Sequence, residues 1–207
     1  VFLVGKHDVV EDCEIVGSNA NSGSVIGIWL LGDDATIVNN TISNSGFGIH
    51  LDGSDNLIED NTIVNNGVGI GYGGINNTIV GNIIGNNYYA GLSLWYSEGD
   101  LIYNNIFNNT INVKVTSAKA YWNITLSPGK NILGGDWLGG NAWLSPNGTG
   151  YSQTCQPMPS NPEFCSQPYV IGPNNVDYWP LRYSSTIIIE NGTIIITVFN
   201  VNGKPAV

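Results

Sequence analysis

The chain has 207 residues and a formal net charge of −10, with 42% hydrophobic and only 11% charged residues. No apolar run reaches the roughly 20 residues that a membrane-spanning helix needs, so we predict no membrane span. Between His7 and Val113 every charged side chain is acidic. Such a surface repels phosphate groups, which argues against nucleic acid as a partner.

The first residues form a strand-like apolar run with no signal peptide ahead of it, so we expect a mature or trimmed chain. Val10 and Ile15 have the same spacing as Ile37 and Ile42 further along, which predicts a first coil of the repeat described next. Cys13 then takes a ladder position of that repeat, where we expect a small buried residue. No amphipathic helix precedes this coil, so we predict an open strand edge.

One short theme is repeated four times between Ala35 and Val115. The copies begin at Ala35, Asn56, Asn77 and Asp100, which are 21, 21 and 23 residues apart, and a fixed period of this size indicates a solenoid. Apolar residues within a copy stand two apart, which is a strand period. Stacked coils would pair each strand with its equivalent at ~4.8 Å. The clearest apolar columns are Ile37, Ile58, Ile79, Ile102 and Ile42, Ile63, Ile84, Phe107.

Two asparagine columns run beside the apolar ones. Asparagine tolerates left-handed backbone at a corner, and its amide can bond to its equivalent one coil away. We therefore predict tight corners joined by asparagine ladders. The two columns are Asn40, Asn61, Asn82, Asn105 and Asn44, Asn65, Asn86, Asn109.

The repeat, written I-x-x-N-x-I-x-x-N-x-x-G-I-x-L, resembles the parallel β-helix repeats of NosD-like and pectate-lyase-like proteins. The resemblance implies the fold, but the superfamily includes lyases, hydrolases, epimerases, adhesins and surface-layer proteins, so it does not define the function. A copper role, suggested by the NosD name, would need clustered His, Met or Cys side chains. His7, His50 and Met158 are far apart in sequence, so we predict no metal and no cofactor.

Residues 127–183 lack the period and are predicted to form a cap. The segments GGDWLGGNAWL and NVDYWPL resemble the closing part of archaeal NosD-like proteins, in which a calcium-like, Asp-rich loop commonly lies between them. Cys155 and Cys165 bracket a proline-rich loop at that place, and we predict a disulfide, which indicates a location outside the cytoplasm. We expect Trp122, Trp137, Trp143 and Trp179 to cover the last coil, with sugar-binding platforms as the alternative.

The tail, residues 184–207, contains two β-branched runs on either side of Asn191-Gly192, a strong hairpin signal. An apolar two-stranded hairpin is marginal in water and prone to aggregate. It must pack on its own helix, on a following domain or on another subunit. The residues expected to mediate assembly are Ile187, Ile188, Ile189, Ile194, Ile195, Ile196 and Val198.

Six N-x-S/T sequons are candidate N-glycosylation sites. Together with a disulfide they predict a glycoprotein that carries covalent glycans. The sequons are Asn39, Asn76, Asn108, Asn123, Asn147 and Asn191.

Catalysis is not expected. Glycoside hydrolysis needs two carboxyl groups about 5 to 10 Å apart, for which Asp33, Asp34 and Asp52 are weak candidates. Only Asp33-Asp34 resembles the polygalacturonase set, whose Gly-His-Gly and Arg-x-Lys motifs are absent, and lyases of this fold use a cationic base that the coils lack. Acids at coil corners more commonly serve solubility.

The sequence therefore predicts an all-β chain: a single-stranded parallel β-helix of about five to six coils at residues 1–126, a Trp-rich disulfide-stapled cap at 127–183 and a hairpin at 184–207. We expect an extracellular structural protein of an archaeal-type cell surface that assembles head to tail with further copies into a filament or layer. One alternative is a carbohydrate-active enzyme or carbohydrate-binding module. The other is a fragment of a larger surface-layer protein or adhesin.

Overall fold

A computed structural model describes residues 1–184, apart from the side chain of Tyr72, and the backbone of two further strands at Thr186–Glu190 and Thr193–Thr197. The described chain is a parallel β-helix followed by a cap, as the repeat predicts. One four-residue helix, Tyr151–Thr154, is the only helix among these residues.

Each of the first five coils contributes three short strands, joined by corners. They are β1 (Phe2–Leu3), β2 (Val9–Glu11), β3 (Glu14–Val16), β4 (Ile26–Leu30), β5 (Thr36–Val38), β6 (Thr41–Ser43), β7 (Phe47–Leu51), β8 (Leu57–Glu59), β9 (Thr62–Val64), β10 (Val68–Tyr72), β11 (Thr78–Val80), β12 (Ile83–Gly85), β13 (Ala90–Trp95), β14 (Glu98–Tyr103) and β15 (Ile106–Asn108).

The rest of the chain completes a sixth coil and builds the cap. Its elements are β16 (Val113–Thr116), β17 (Lys119–Tyr121), β18 (Ser127–Pro128), β19 (Trp137–Leu138), β20 (Ala142–Leu144), α1 (Tyr151–Thr154), β21 (Pro157–Met158), β22 (Asn161–Cys165), β23 (Tyr169–Gly172), β24 (Asn175–Asp177), β25 (Thr186–Glu190) and β26 (Thr193–Thr197).

Three parallel sheets, each of six strands, form the walls of the solenoid. Sheet A runs β1-β4-β7-β10-β13-β16, sheet B runs β2-β5-β8-β11-β14-β17, and sheet C runs β3-β6-β9-β12-β15-β20. The register follows the predicted columns, so that Ile37 pairs with Ile58 and Ile42 with Ile63. The sequence boundary at residue 126 cuts the sixth coil, because β20 pairs with β15 as its third strand.

The interior is a stack of aliphatic side chains. From the second coil onward, the described Ile and Leu side chains at the inward positions of all three sheets are fully buried, and burial of each such side chain stabilises the fold by about 1.5–3 kcal/mol. At the C-terminal end the stack continues as aromatic rings: Phe107 lies flat on Trp143 at 4.8 Å between ring centroids, and Trp143 contacts Tyr169 at 4.8 Å.

Each corner is built from two consecutive residues with different tasks. The first adopts left-handed backbone and, where it is Asp or Asn in the first four coils, is exposed; the second turns inward. The left-handed positions are Asp34, Asp55, Asn76, Gly99 between sheets A and B; Asp12, Asn39, Asp60, Gly81, Asn104 between B and C; and Asn44, Asn65, Asn86 between C and A. Asparagine, aspartate and glycine are the residues that adopt this backbone at least cost.

The inward corner residues form three ladders along the solenoid. The backbone N–H of each rung donates to the Oδ1 atom of the rung in the next coil, at 2.8 to 3.1 Å. Backbone groups at these buried corners are thereby paired within the protein. The rungs are Ala35, Asn56, Asn77, Asp100; Cys13, Asn40, Asn61, Asn82, Asn105, Asn141; and Ser45, Asn66, Asn87, Asn109.

Two sequence expectations need correction here. The column Asn40, Asn61, Asn82, Asn105 is a ladder, but Asn44, Asn65 and Asn86 are the exposed left-handed residues, each one position ahead of the true rung. Cys13 does occupy a ladder position, since its N–H donates to Asn40 Oδ1 at 3.0 Å. Its thiol is exposed rather than buried, because its coil is the outermost described one and no rung covers it.

The cap closes two of the three ladders with a single short strand. Ala120 is in register with Asp100, the last rung of the first ladder. Asn175 in β24 accepts hydrogen bonds from the N–H of Ala120 and from Trp122 Nε1, at 3.1 and 3.0 Å. Asp177, two residues later, accepts the N–H of Asn141 at 2.8 Å. A terminal rung needs acceptors more than donors, which suits the carboxylate. The NVDYWPL segment thus ends the solenoid.

Candidate functional site

The first coil presents an open face. Among the described residues no strand pairs with the outer edges of β1, β2 and β3. Leu3 and Ile15, which pack on the core from this coil, are only partly buried, and Val9 and Val16 are 58% and 61% exposed. Backbone donors and acceptors of unpaired edges bind further strands readily. We call the outer edges of β1, β2 and β3, with these side chains, the open coil face.

The tail forms the predicted hairpin. β25 pairs antiparallel with β26, with Ile187 opposite Ile196 and Ile189 opposite Ile194. The side chains of these strands lie outside the described part of the structure, as do Asn191, Gly192 and Val198. The backbone pairing confirms a C-terminal hairpin; the assembly role of its isoleucines stays a prediction.

A row of rings crosses the outer surface of sheet A. Phe2 contacts Trp29 at 5.3 Å between centroids, Trp29 contacts His50 at 5.7 Å, and His50 contacts Phe47 at 5.1 Å. Trp95 lies 6.1 Å from Phe47. These five residues, Phe2, Trp29, Phe47, His50 and Trp95, are called the aromatic patch below.

The patch depends on one glycine. Gly71 is in register with His50 in the preceding coil, and a Cβ atom there would lie 2.7 Å from the ring of Phe47 and 3.3 Å from that of Trp95. The bare backbone therefore lets rings from two non-adjacent coils meet over it. Sequence analysis missed this patch. Its signal was present, because Trp29, His50 and Gly71 stand 21 residues apart and so share one outward column.

The three weak catalytic candidates fall into two separate groups. Asp52 accepts a hydrogen bond from Trp29 Nε1 at 2.9 Å, and its Oδ2 atom lies 3.3 Å from His50 Nε2. Asp33 and Asp34 instead flank Lys6, with carboxyl oxygens 3.8 and 3.7 Å from Nζ. Each carboxylate thus has a structural partner, and exposed pairs such as those of Lys6 add little stability.

The sequons differ in accessibility. Asn39, Asn76 and Asn147 are exposed, and Asn108 and Asn123 are half-buried. Asn147 lies in a tight turn where its Oδ1 accepts hydrogen bonds from the N–H and hydroxyl of Thr149, at 3.1 and 2.7 Å. Asn123 is engaged in the fold, since its Oδ1 accepts the N–H of Tyr178 at 3.0 Å.

The cap contains the predicted disulfide between Cys155 and Cys165 and a carboxyl group with a strongly raised pKa. Burial raises the pKa of Asp177 to about 7, and hydrogen bonds from Asn141, Trp143 and Trp179 lower it in part. Asp177 serves the ladder rather than an open cleft, because it is completely buried.

Comparison with known proteins assigns the family. Residues 1–148 match the family profile described as "Periplasmic copper-binding protein (NosD)". The chain belongs to the NosD family. No curated protein and no solved structure matches it. The family description places its members in the periplasm, outside the cytoplasm, and no helix in the described part of this NosD-family chain is long and apolar enough to cross a membrane.

The described side chains do not fit the copper of the family description. Copper sites use clustered imidazole, thiolate or thioether ligands. His7 is exposed in the first coil, His50 is held in the aromatic patch, and Met158 packs in the cap. The Cys13 thiol donates to the carbonyl of Glu11. No three His, Cys, Asp or Glu side chains of the described residues are grouped to hold a metal.

Proposed function

We propose that this protein is an extracellular structural subunit of a cell surface that assembles head to tail with further copies, through its C-terminal β segment. The observation that carries the proposal is that one chain has two different surfaces suited to strand pairing. The open coil face lies at one end of the solenoid, and an isoleucine-rich hairpin follows the cap at the other.

Strand addition explains why these ends are complementary. The open coil face offers unpaired backbone groups beside apolar side chains, and a β-strand satisfies both. Six isoleucines in β25 and β26 supply apolar strands that a lone hairpin cannot bury by itself. Contacts between two different surfaces do not close into a small ring by symmetry alone, so repeated addition yields a filament or layer.

An extracellular location is supported by the disulfide and by the family description. Exposed sequons at Asn39, Asn76 and Asn147 are compatible with covalent glycans pointing away from the coils. Intact-mass analysis of the native protein, before and after chemical removal of glycans, tests this part. A mass equal to that of the bare polypeptide would contradict glycosylation.

Electron microscopy of negatively stained native protein tests assembly. We expect filaments or sheets from the full chain and single particles from a variant that ends at residue 184. A second variant, full-length protein with Ile188→Asp and Ile195→Asp, places charge on the hairpin without shortening the chain. It should also prevent assembly. Polymers that persist after truncation would refute a tail-mediated mechanism. Single particles in every sample would refute assembly itself.

A second candidate function is carbohydrate binding or cleavage, because the aromatic patch is an outward array of rings beside a carboxylate. Sugar rings stack on such aromatic faces, and the Asp52 carboxylate can accept their hydroxyl groups. Polysaccharide retention that is lost in Trp29→Ala but kept in Tyr121→Ala, an exposed aromatic outside the patch, would favour binding. Release of reducing ends that is lost in Asp33→Asn or Asp52→Asn would favour catalysis.

A further inference from the structure

The C-terminal edge of sheet A is uncovered, unlike those of the other two sheets. β17, the last strand of sheet B, is covered by β24, whose Asn175 accepts the Ala120 N–H. β20, the last strand of sheet C, is covered by α1, where Ser152 Oγ accepts the Trp143 N–H at 2.7 Å. No strand of the described residues pairs with the outer edge of β16, which ends sheet A.

A groove runs along this uncovered edge. Beside the start of β16 is a cavity of about 390 Å³, lined by residues that include Ile111, Val113, Tyr151 and Ile171. Beside its end is a second cavity of about 690 Å³, lined among others by Val115 and Ile171. Ile171 lines both cavities, so they lie next to each other along the strand. Together we call them the β16 groove.

The chain itself leaves the cap beside this groove. Tyr183, the last residue before the tail, donates its N–H to the carbonyl of Ser152 at 2.9 Å. Ser152 follows Tyr151, which lines the start of the groove. The segment that comes next in sequence is the first isoleucine strand, β25. Its entry point is therefore at the beginning of β16.

From this placement we infer that the β16 groove seats β25 of the same chain, parallel to β16, as a seventh strand of sheet A. A strand that enters at the start of β16 runs in the same direction as β16, and every strand pair in sheet A is parallel. Pairing satisfies the edge backbone groups, which otherwise invite unspecific strand addition.

The side-chain pattern of β25 matches the columns of sheet A. The inward column Ile28, Ile49, Ile70, Leu92, Val113 ends at β16, and so does the neighbouring column that ends at Val115. The next strand needs two apolar residues two positions apart. Ile187 and Ile189 meet that need, with Ile188 pointing outward opposite Lys114. The filled groove would then bury Val113 and Val115, which are half-buried without it.

What a seated β25 would do for assembly rests on the proposed function. With β25 seated, β26 becomes the outermost strand of sheet A, and its free edge is what a second copy meets with β1 of its open coil face. The hairpin would then join two solenoids as part of a continuous sheet A that runs through both.

A paired-cysteine variant tests the seat. In a Cys13→Ser background, Lys114→Cys and Ile188→Cys would stand on neighbouring strands, within the Cα separation of about 4.4–6.8 Å that a disulfide allows. The matched control combines Lys114→Cys with Ile195→Cys, which lies one strand further away and is too distant to link. We expect oxidation of dilute protein to link the first pair within one chain, and the control pair to stay reduced.

Two results would overturn the seat: a link formed only between chains, or no link in the first pair. If the double variant misfolds, hydrogen exchange of otherwise wild-type chains decides. Ile187→Asn, which faces the groove, should speed exchange at Val113–Thr116 about tenfold, whereas the outward Ile188→Asn should not; equal effects refute the register. Microscopy of the same samples separates the two proposals. Filaments without the Lys114→Cys/Ile188→Cys disulfide would refute only the seating of β25. The disulfide without filaments would refute only the assembly.

Discussion

Asn65 and Asn66 show how two identical neighbours perform opposite tasks at one corner. Asn65 adopts left-handed backbone and is exposed. Asn66 is buried; its Nδ2 donates to the carbonyls of Ile42 and Val64 at 3.1 and 3.0 Å, and its Oδ1 accepts the Ser45 N–H at 3.0 Å. The same division recurs along the solenoid, so corner chemistry rather than strand propensity sets the coil period.

Replacing each neighbour with glycine should separate these tasks. Glycine at position 65 keeps the left-handed backbone and removes no buried bond, so we expect a change within about 0.5 kcal/mol. Asn66→Gly leaves several buried backbone groups unpaired, at about 1–3 kcal/mol each, and should lower the free energy of unfolding by about 2–4 kcal/mol. Denaturant unfolding measures both variants. Equal losses would contradict the division of labour.

Sequence alone could identify these corners but not assign both residues. Asparagine favours left-handed backbone and also makes a good rung, so a column of consecutive asparagines is consistent with either choice. The column at Asn40 is a ladder, as predicted, and at two of its corners the residue beside the rung is Asp60 or Gly81, so that only one asparagine is available. The second column was placed one residue early, at Asn44 and Asn65, because only the structure decides which of two adjacent amides turns inward.

Asp177 predicts a pH dependence of stability. Its pKa is about 7 in the folded chain against an ordinary 3.8, so the folded state binds a proton between these values that the unfolded state releases. Stability from this group is therefore present at low pH and falls as the pH rises from about 4 to about 7. Thermal melts across that range should show this slope reduced in Asp177→Asn. An unchanged slope would assign the effect elsewhere.

At the scale of elements, the strands follow directly from the period, whereas the sixth coil does not. Its third strand, β20, comes after a connection of 20 residues, 122–141, where the preceding coil has only Asn104 and Asn105. Periodicity cannot find a strand displaced in this way. The structure restores it through the ladder, because Asn141 accepts the Asn105 N–H at 3.1 Å.

The disulfide should stabilise the cap more than the coils. Cys155 and Cys165 close a loop of sequence separation 10, for which loss of chain entropy in the unfolded state predicts about 3 kcal/mol. We expect Cys155→Ser with Cys165→Ser to unfold the cap earlier, while exchange protection persists at the central coils. Mass spectrometry of hydrogen exchange resolves the two regions. Uniform loss of protection would mean that cap and coils unfold as one unit.

For the molecule as a whole, the sequence predicts the fold, but it indicates only one outward column of the aromatic patch. Inward columns of isoleucine repeat in sequence and define the solenoid. The aromatic patch is scattered over residues 2–95 and forms only because Gly71 lets rings from different coils meet. Its other rings, Phe2, Phe47 and Trp95, do not repeat at the coil period and so give no signal in the sequence.

The whole chain also predicts a result for copper. Its His and Met side chains are dispersed over the coils and the cap, so titration with Cu(II) should give no stoichiometric binding, despite the family description. His50→Ala serves as the control, since His50 is the imidazole with a carboxylate neighbour. One tightly bound copper per chain, lost in that variant, would contradict this expectation.

The ladders give every coil the same two interfaces, with amide oxygens accepting on one side and backbone N–H groups donating on the other. Each coil therefore adds the same length to the solenoid. Duplicating residues 56–76 in tandem would insert one more coil of ~4.8 Å and leave the first coil and the cap unchanged. The length of the solenoid can therefore change in whole coils while the surfaces at its two ends stay the same.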